Sequence, residues 1–137
     1  MSKDPKPLPH PSSLSRPYWE GAAAGQLMLQ RCTQCGRLRH YPQLLCPHCY
    51  ATGVAAVAAS GRGTVHSWTV AHHAFHPAFK NDLPYVLVTV DLAEGPRALG
   101  RFDPAAQARL RLGLPVRVGF VAAAEGVALP VFAVDEG

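Results

Sequence analysis

The 137-residue sequence predicts a mainly β protein in two parts, a small metal-stapled ribbon followed by a five-stranded barrel. Three observations carry that prediction. The only four cysteines fall in two close pairs, Cys32-Thr33-Gln34-Cys35 and Cys46-Pro47-His48-Cys49, with ten residues between them. Beyond residue 60, apolar and polar residues alternate with the period of two that half-buried strands show. Those strand-like segments come as three strands, a short helix and two strands, which is the order of an OB-fold barrel.

Residues 1–15 are rich in Pro, Ser and Lys and are expected to form a flexible N-terminal arm. Ser15 is a candidate N-cap for a short helix that Pro17 opens and Gly25 closes. That helix carries Tyr18, Trp19 and Ala22 to Ala24. Leu27 to Arg31 reads as a strand entering the first cysteine pair, and Tyr41 to Leu45 leads into the second. Val54 to Ala59 is a linker or strand of small residues that completes a helix-and-ribbon unit over 16–59. The barrel takes 60–137, entered through a turn at Gly61-Arg62-Gly63. Its strands are placed at Thr64 to His72, Tyr85 to Leu92, Arg97 to Phe102, Val116 to Ala122 and Val127 to Val134. In the second strand Val86, Val88, Val90 and Leu92 share one face; in the fourth, Val116, Val118 and Phe120 point inward. Asp103 caps and Pro104 opens a short helix, Ala105 to Leu110, between the third and fourth strands. Pro130 suits the last strand to an edge or a bulge. The long connection between the first two strands holds His72, His73, Phe75, His76, Phe79 and Lys80.

A CxxC turn presents two sulfurs to one ion, and two such turns supply the four thiolates of a tetrahedral zinc site. Cys32, Cys35, Cys46 and Cys49 are the candidate metal ligands, and one structural Zn2+ per chain is the expected cofactor. Gly36 gives the first turn a permissive backbone and Pro47 stiffens the second. The short link between the pairs points to a rubredoxin-like zinc ribbon. Two alternatives use the same four residues. One is a pair of disulfides, disfavoured because no secretory leader pattern precedes them. The other is an iron centre, against which stands Tyr50, where rubredoxin-type sites carry a second glycine. A unit this small needs its metal to fold.

The formal charge of +4 is not a nucleic-acid signature here. Four thiolates on a dication add about −2, and Arg31, Arg37, Arg39, His40 and His48 crowd the ribbon as counter-charges. No apolar run approaches the roughly 20 residues that span a bilayer, so a cytoplasmic protein with no membrane partner is expected. With every cysteine on the metal no thiol nucleophile remains, and no GxSxG, HExxH or P-loop pattern occurs. A closed four-cysteine site has no open coordination position, which makes it structural. No catalytic residue is assigned. His66, His72, His73 and His76 are the only candidates for acid–base or second-metal chemistry. Arg62, Lys80, Arg97 and Arg101 are cations placed to meet phosphates or simply to face solvent. Tyr18 and Trp19 either pack on the ribbon or dock on a partner. Single-stranded nucleic acid is the alternative ligand, but the second and third strands offer only Tyr85 and Phe102 for stacking, beside Asp91 and Glu94.

The chain resembles a family that joins a rubredoxin-like zinc ribbon to a C-terminal OB-fold, catalogued as the domain of unknown function number thirty-five. The resemblance runs in order from about residue 16 to the end. It is carried by Pro17-Tyr18-Trp19-Glu20, Leu29-Gln30-Arg31-Cys32, Cys35-Gly36, His40-Tyr41-Pro42 and Cys46-Pro47-His48-Cys49. It continues through Ser60-Gly61-Arg62-Gly63-Thr64-Val65, Leu83-Pro84-Tyr85-Val86 and Leu129-Pro130-Val131-Phe132. Ala98-Leu99-Gly100-Arg101 departs from the more uniformly hydrophobic strand expected there. What the resemblance implies is a non-catalytic accessory protein, part of a hetero-oligomer. Its partner would be a thiolase-fold enzyme, a thiolase or thiolase-like aldolase, and its ligand acyl-CoA, in lipid or sterol metabolism.

Overall fold

Pro17 in the first turn and Gly25 at φ +81 bracket helix α1 (Arg16–Ala23). The computed structural model describes residues 5–137, so the first four residues of the expected arm lie outside the described residues. Ser15 is not the cap the sequence promises. It lies in the helical region itself, and its Oγ accepts the Ser12 N–H at 3.0 Å instead. Among the described residues before α1 there is neither helix nor strand, and Lys6 pairs with Asp82 at 2.7 Å.

Three antiparallel strands build the ribbon: β1 (Met28–Cys32), β2 (Leu38–Arg39) and β3 (Val54–Ala58), in the order β2-β1-β3. The stretch Val54 to Ala59 is thus mostly strand, and the two-residue β2 between the knuckles was not expected. The barrel follows as β4 (Arg62–Ala71), β5 (Tyr85–Leu92), β6 (Arg97–Phe102), β7 (Pro115–Ala124) and β8 (Val127–Val134), closed in the order β4-β5-β6-β8-β7. All pairings are antiparallel except β6 with β8. This is the predicted fold.

Three details differ from the sequence reading. β4 starts at Arg62, so only Gly61, at φ +84, makes the turn; the strand ends at Ala71 and leaves His72 in the loop. The segment after Asp103 is a 3-10 helix, Pro104–Arg109, with the Asp103 carboxylate accepting the Ala105 N–H at 3.0 Å. Pro130 sits in a strand interior to the barrel order. It is tolerated because β6 pairs β8 only at Val131 and Phe132, leaving Pro130 laddered to Phe120 of β7 alone.

Alternation decides the core. Val86, Val88, Val90 and Leu92 of β5 are all buried, and Val116 of β7 with them; Val118 and Phe120 pack half-buried against the same cluster. β6 turns Ala98, Gly100 and Phe102 inward. A Cβ on Gly100 would stand 3.0 Å from the Phe132 ring. The departure at Ala98–Arg101 is therefore a size match: small inward residues make room for Phe132, while Leu99 and Arg101 face out. Tyr18, Leu27 and Leu29 belong to this same cluster, so ribbon and barrel share one core.

Gly63 stands where the barrel closes. It ladders to Leu92 on one side and Val116 on the other. A Cβ there would overlap the Asp91 carbonyl, a backbone atom that has no freedom to retreat. Gly63→Ala is expected to cost roughly 1–3 kcal/mol and to lower the denaturation midpoint. Gly119→Ala, whose Cβ would meet only the Val131 carbonyl at 3.8 Å, is expected to leave it nearly unchanged.

Candidate metal centre

The two cysteine turns are near copies of each other. In the first, the Gly36 N–H donates to the Cys32 carbonyl at 2.9 Å and the Cys32 N–H to the Arg37 carbonyl at 2.9 Å. In the second, the Tyr50 N–H donates to the Cys46 carbonyl at 2.9 Å and the Cys46 N–H to the Ala51 carbonyl at 3.0 Å. Gly36 takes φ +79 and Tyr50 φ +62. Tyr50 thus adopts the left-handed backbone that a second glycine would have supplied, so its presence does not disqualify the turn.

These turns bring all four sulfurs within 4.8 Å of one another. Cys32 Sγ lies 3.5 Å from Cys49 Sγ, and Cys35 Sγ 3.7 Å from Cys46 Sγ. A regular tetrahedron with zinc–sulfur arms of about 2.3 Å has edges of about 3.8 Å. The thiols are free, and their separations are far from the roughly 2.05 Å of a disulfide. The Cys35 N–H donates to Cys32 Sγ at 3.5 Å and pulls the Cys32 thiol down to about 6. The Cys49 amide lowers Cys46 in the same way. Cys49 shifts the other way, up to about 11, so the fit to a cation that needs thiolates rests on the sulfur geometry. The residues present fit a four-coordinate metal.

The surrounding charge fits too. Arg39 is buried, and its partners are neutral: Nε donates to Gln30 Oε1 at 2.7 Å and Nη2 to the Gln43 carbonyl at 3.2 Å. Its Nη1 is buried without a hydrogen-bond partner. A buried guanidinium without a carboxylate partner suits a ribbon whose four thiolates on a dication would carry net negative charge. Arg37 instead reaches His48 Nδ1 at 2.8 Å on the exposed side.

An aromatic seam joins ribbon to barrel. The Tyr18 ring lies 5.3 Å from that of His40, and His40 3.8 Å from Tyr41. Burial pushes the Tyr18 hydroxyl up to about 12 and the His40 imidazole down to about 4. The Tyr41 hydroxyl accepts the Leu99 N–H at 2.7 Å and donates to the Leu99 carbonyl at 3.3 Å. It thereby fills a stretch of β6 that β8 has not yet reached. Tyr18 is thus a core residue, and Trp19 packs half-buried against that core.

Of the remaining candidates, His72, His73 and Lys80 line one open cleft of the long loop, and the others stand apart from it. His66 Nδ1 faces Asp91 at 3.2 Å on β4. His76 Nδ1 accepts the Ala78 N–H at 3.1 Å and caps the 3-10 helix Pro77–Asp82, while His73 stacks edge-on against Phe75. Among the described residues the four cysteines form the only metal-type grouping. Three of the four candidate phosphate-binding cations are engaged by carboxylates: Arg62 by Asp135, Arg97 by Asp91, Arg101 by Asp82. Arg101 also lies 4.0 Å above the Tyr85 ring, which takes one of the two stacking aromatics out of use. No helix among the described residues is long and apolar enough to cross a membrane.

Fold and site together define a class: a two-knuckle metal ribbon sharing its core with an OB-fold barrel. Residues 19–55 match the ChsH2 rubredoxin-like zinc ribbon domain and residues 56–121 the ChsH2 C-terminal OB-fold domain. The chain belongs to this ChsH2, or DUF35, family. It is 40% identical over 115 residues, 84% of its length, to a probable enoyl-CoA hydratase alpha subunit of Thermomonospora curvata. It is 30% identical over 91 residues to a DUF35 domain-containing scaffold protein of Methanothermobacter thermautotrophicus, covering 66% of this chain and 68% of that one. A chain of the Ltp2-ChsH2(DUF35) aldolase superposes with a TM-score of 0.81 at 37% identity, over 92% of this chain and 98% of that chain. The chain spans only 35% and 38% of the length of the curated hydratase subunits it matches.

The seam makes a pH prediction. His40 is held to about 4 in the folded chain against an ordinary 6.5, because burial disfavours its charged form. The unfolded chain therefore takes the proton first, and this residue's contribution to stability is lost as pH falls from about 6.5 through about 4. A histidine-resolved NMR titration of the metal-loaded chain should place the His40 midpoint near 4. A midpoint at 6.5 would contradict the buried seam.

Proposed function

We propose that this chain is a non-catalytic accessory protein. It binds a thiolase-fold enzyme, a thiolase or thiolase-like aldolase, and assists acyl-CoA handling in lipid or sterol metabolism. The observation that carries the reading is the match to a chain of an aldolase assembly over nearly the whole of both chains. The names of other relatives, an alpha subunit and a scaffold protein, also describe parts of larger assemblies. The side-chain chemistry agrees. The thiols are gathered for metal, and three of the four candidate cations are engaged by carboxylates.

Within that reading, Cys32, Cys35, Cys46 and Cys49 hold one structural zinc per chain. When bound, the ion supplies a tetrahedral cross-link between the knuckles and has no open position for a substrate. The protein's own residues do the rest: the knuckle amides set the sulfur positions, and Gln30, Arg39 and Gln43 fix the loop between them.

Two measurements test this. Affinity purification of the tagged chain from its own cells, followed by mass spectrometry, should recover a thiolase-fold enzyme in stoichiometric amount. Recovery of nucleic acid, or of no such enzyme, would overturn the accessory reading. Elemental analysis should find one zinc per colourless chain, and a strong chelator should unfold the ribbon, as structural zinc in such peptides contributes roughly 10–16 kcal/mol. A red, iron-containing protein would sink the zinc assignment.

A further inference from the structure

Tyr50 occupies a backbone state that glycine adopts freely and tyrosine does not. It sits at φ +62, and its counterpart in the first knuckle is Gly36 at φ +79. Glycine would serve the turn. The ring does not repay the strain by packing, because Tyr50 is 75% exposed. Among the described residues its ring meets no other aromatic, and its hydroxyl has no hydrogen-bond partner. The turn fixes the backbone from which the side chain projects, since the Tyr50 N–H is held on the Cys46 carbonyl at 2.9 Å.

Two more large apolar side chains stand on the loop that enters the same knuckle: Leu44 is 69% exposed and Leu45 46%. The ribbon surface also carries exposed Arg31 and Arg37. From Glu20 to Asp82 the sequence contains no aspartate or glutamate between those two residues. The ribbon therefore offers apolar side chains in a stretch of sequence that carries cations and no carboxylate of its own.

We propose that Tyr50, with Leu44 and Leu45, is the anchor by which the ribbon seats in its partner enzyme. The matching surface is an apolar depression with carboxylates on its rim. This rests on the accessory reading above and names the surface through which it acts. A tyrosine side chain, with only two χ angles to order, brings large contact area at little entropic cost, and tyrosine is enriched among the residues that dominate binding energy. Strain held at an exposed position is a mark of function.

The test uses the metal-loaded full chain and the thiolase-fold enzyme recovered with it. Tyr50→Gly should keep its zinc and melt at the same or a higher temperature, while its affinity for that enzyme falls about tenfold or more. Leu44→Ser should weaken binding in the same direction, and Tyr50→Phe should bind nearly as the parent does. Wild-type affinity in Tyr50→Gly overturns the anchor and leaves the accessory reading standing. Loss of zinc or fold in Tyr50→Gly makes the ring a structural element and also overturns it. Failure of the parent chain to bind any thiolase-fold enzyme removes the accessory reading, and the anchor with it.

Discussion

Four sulfur atoms gathered within 4.8 Å of one another are the constraint on which the ribbon depends. Its sheet has three strands, one of them two residues long, and a unit of that size cannot bury enough apolar surface to hold itself. It is tied at both ends. At one end the knuckles converge on a metal-type site. At the other, Leu27 and Leu29 enter the barrel's own core beside Tyr18. α1 lies between the two parts, so the helix is less an appendage than the wedge that lets one core serve both.

Loops in such a structure are fixed by polar contacts where apolar ones run out. Gln30 accepts from Arg39 and from the Gln43 amide, which pins the segment between the knuckles. Tyr41 then fastens that segment to β6 by using both backbone groups of Leu99. A side chain standing in for a missing neighbouring strand is an economical way to satisfy an open ladder. It also couples the metal loop to the barrel wall, so a disturbance of either is felt at the other.

Surface chemistry is consistent with the proposed role in an assembly. Asp91 holds both His66 and Arg97, and Asp82 holds both Lys6 and Arg101. Exposed pairs of this kind contribute little to stability. What remains conspicuous on the surface is apolar: Leu44 and Tyr50 on the ribbon, Phe75 at the tip of the long loop.

The cysteine grouping, the strand order and the inward faces of β5 and β7 were legible in the sequence because each is a local pattern. Spacing puts two thiols on one turn, and alternation assigns a face without knowledge of the partner strand. The inward role of Gly100 was not legible, since it answers the bulk of Phe132 on a strand far along the chain. Nor was the burial of Arg39, which depends on Gln30 arriving opposite it. Ser15 stands at the N-cap but makes no side-chain cap bond for a local reason: Ser12, three residues away, takes its hydroxyl. Sequence by itself determined that this protein is a metal ribbon joined to a barrel. Tertiary structure decided that the two share one core, that Tyr41 bolts them together, and that Tyr50 carries the strain. Those depend on contacts between residues distant in the chain, or on a turn whose geometry is set by the sulfurs it must bring together.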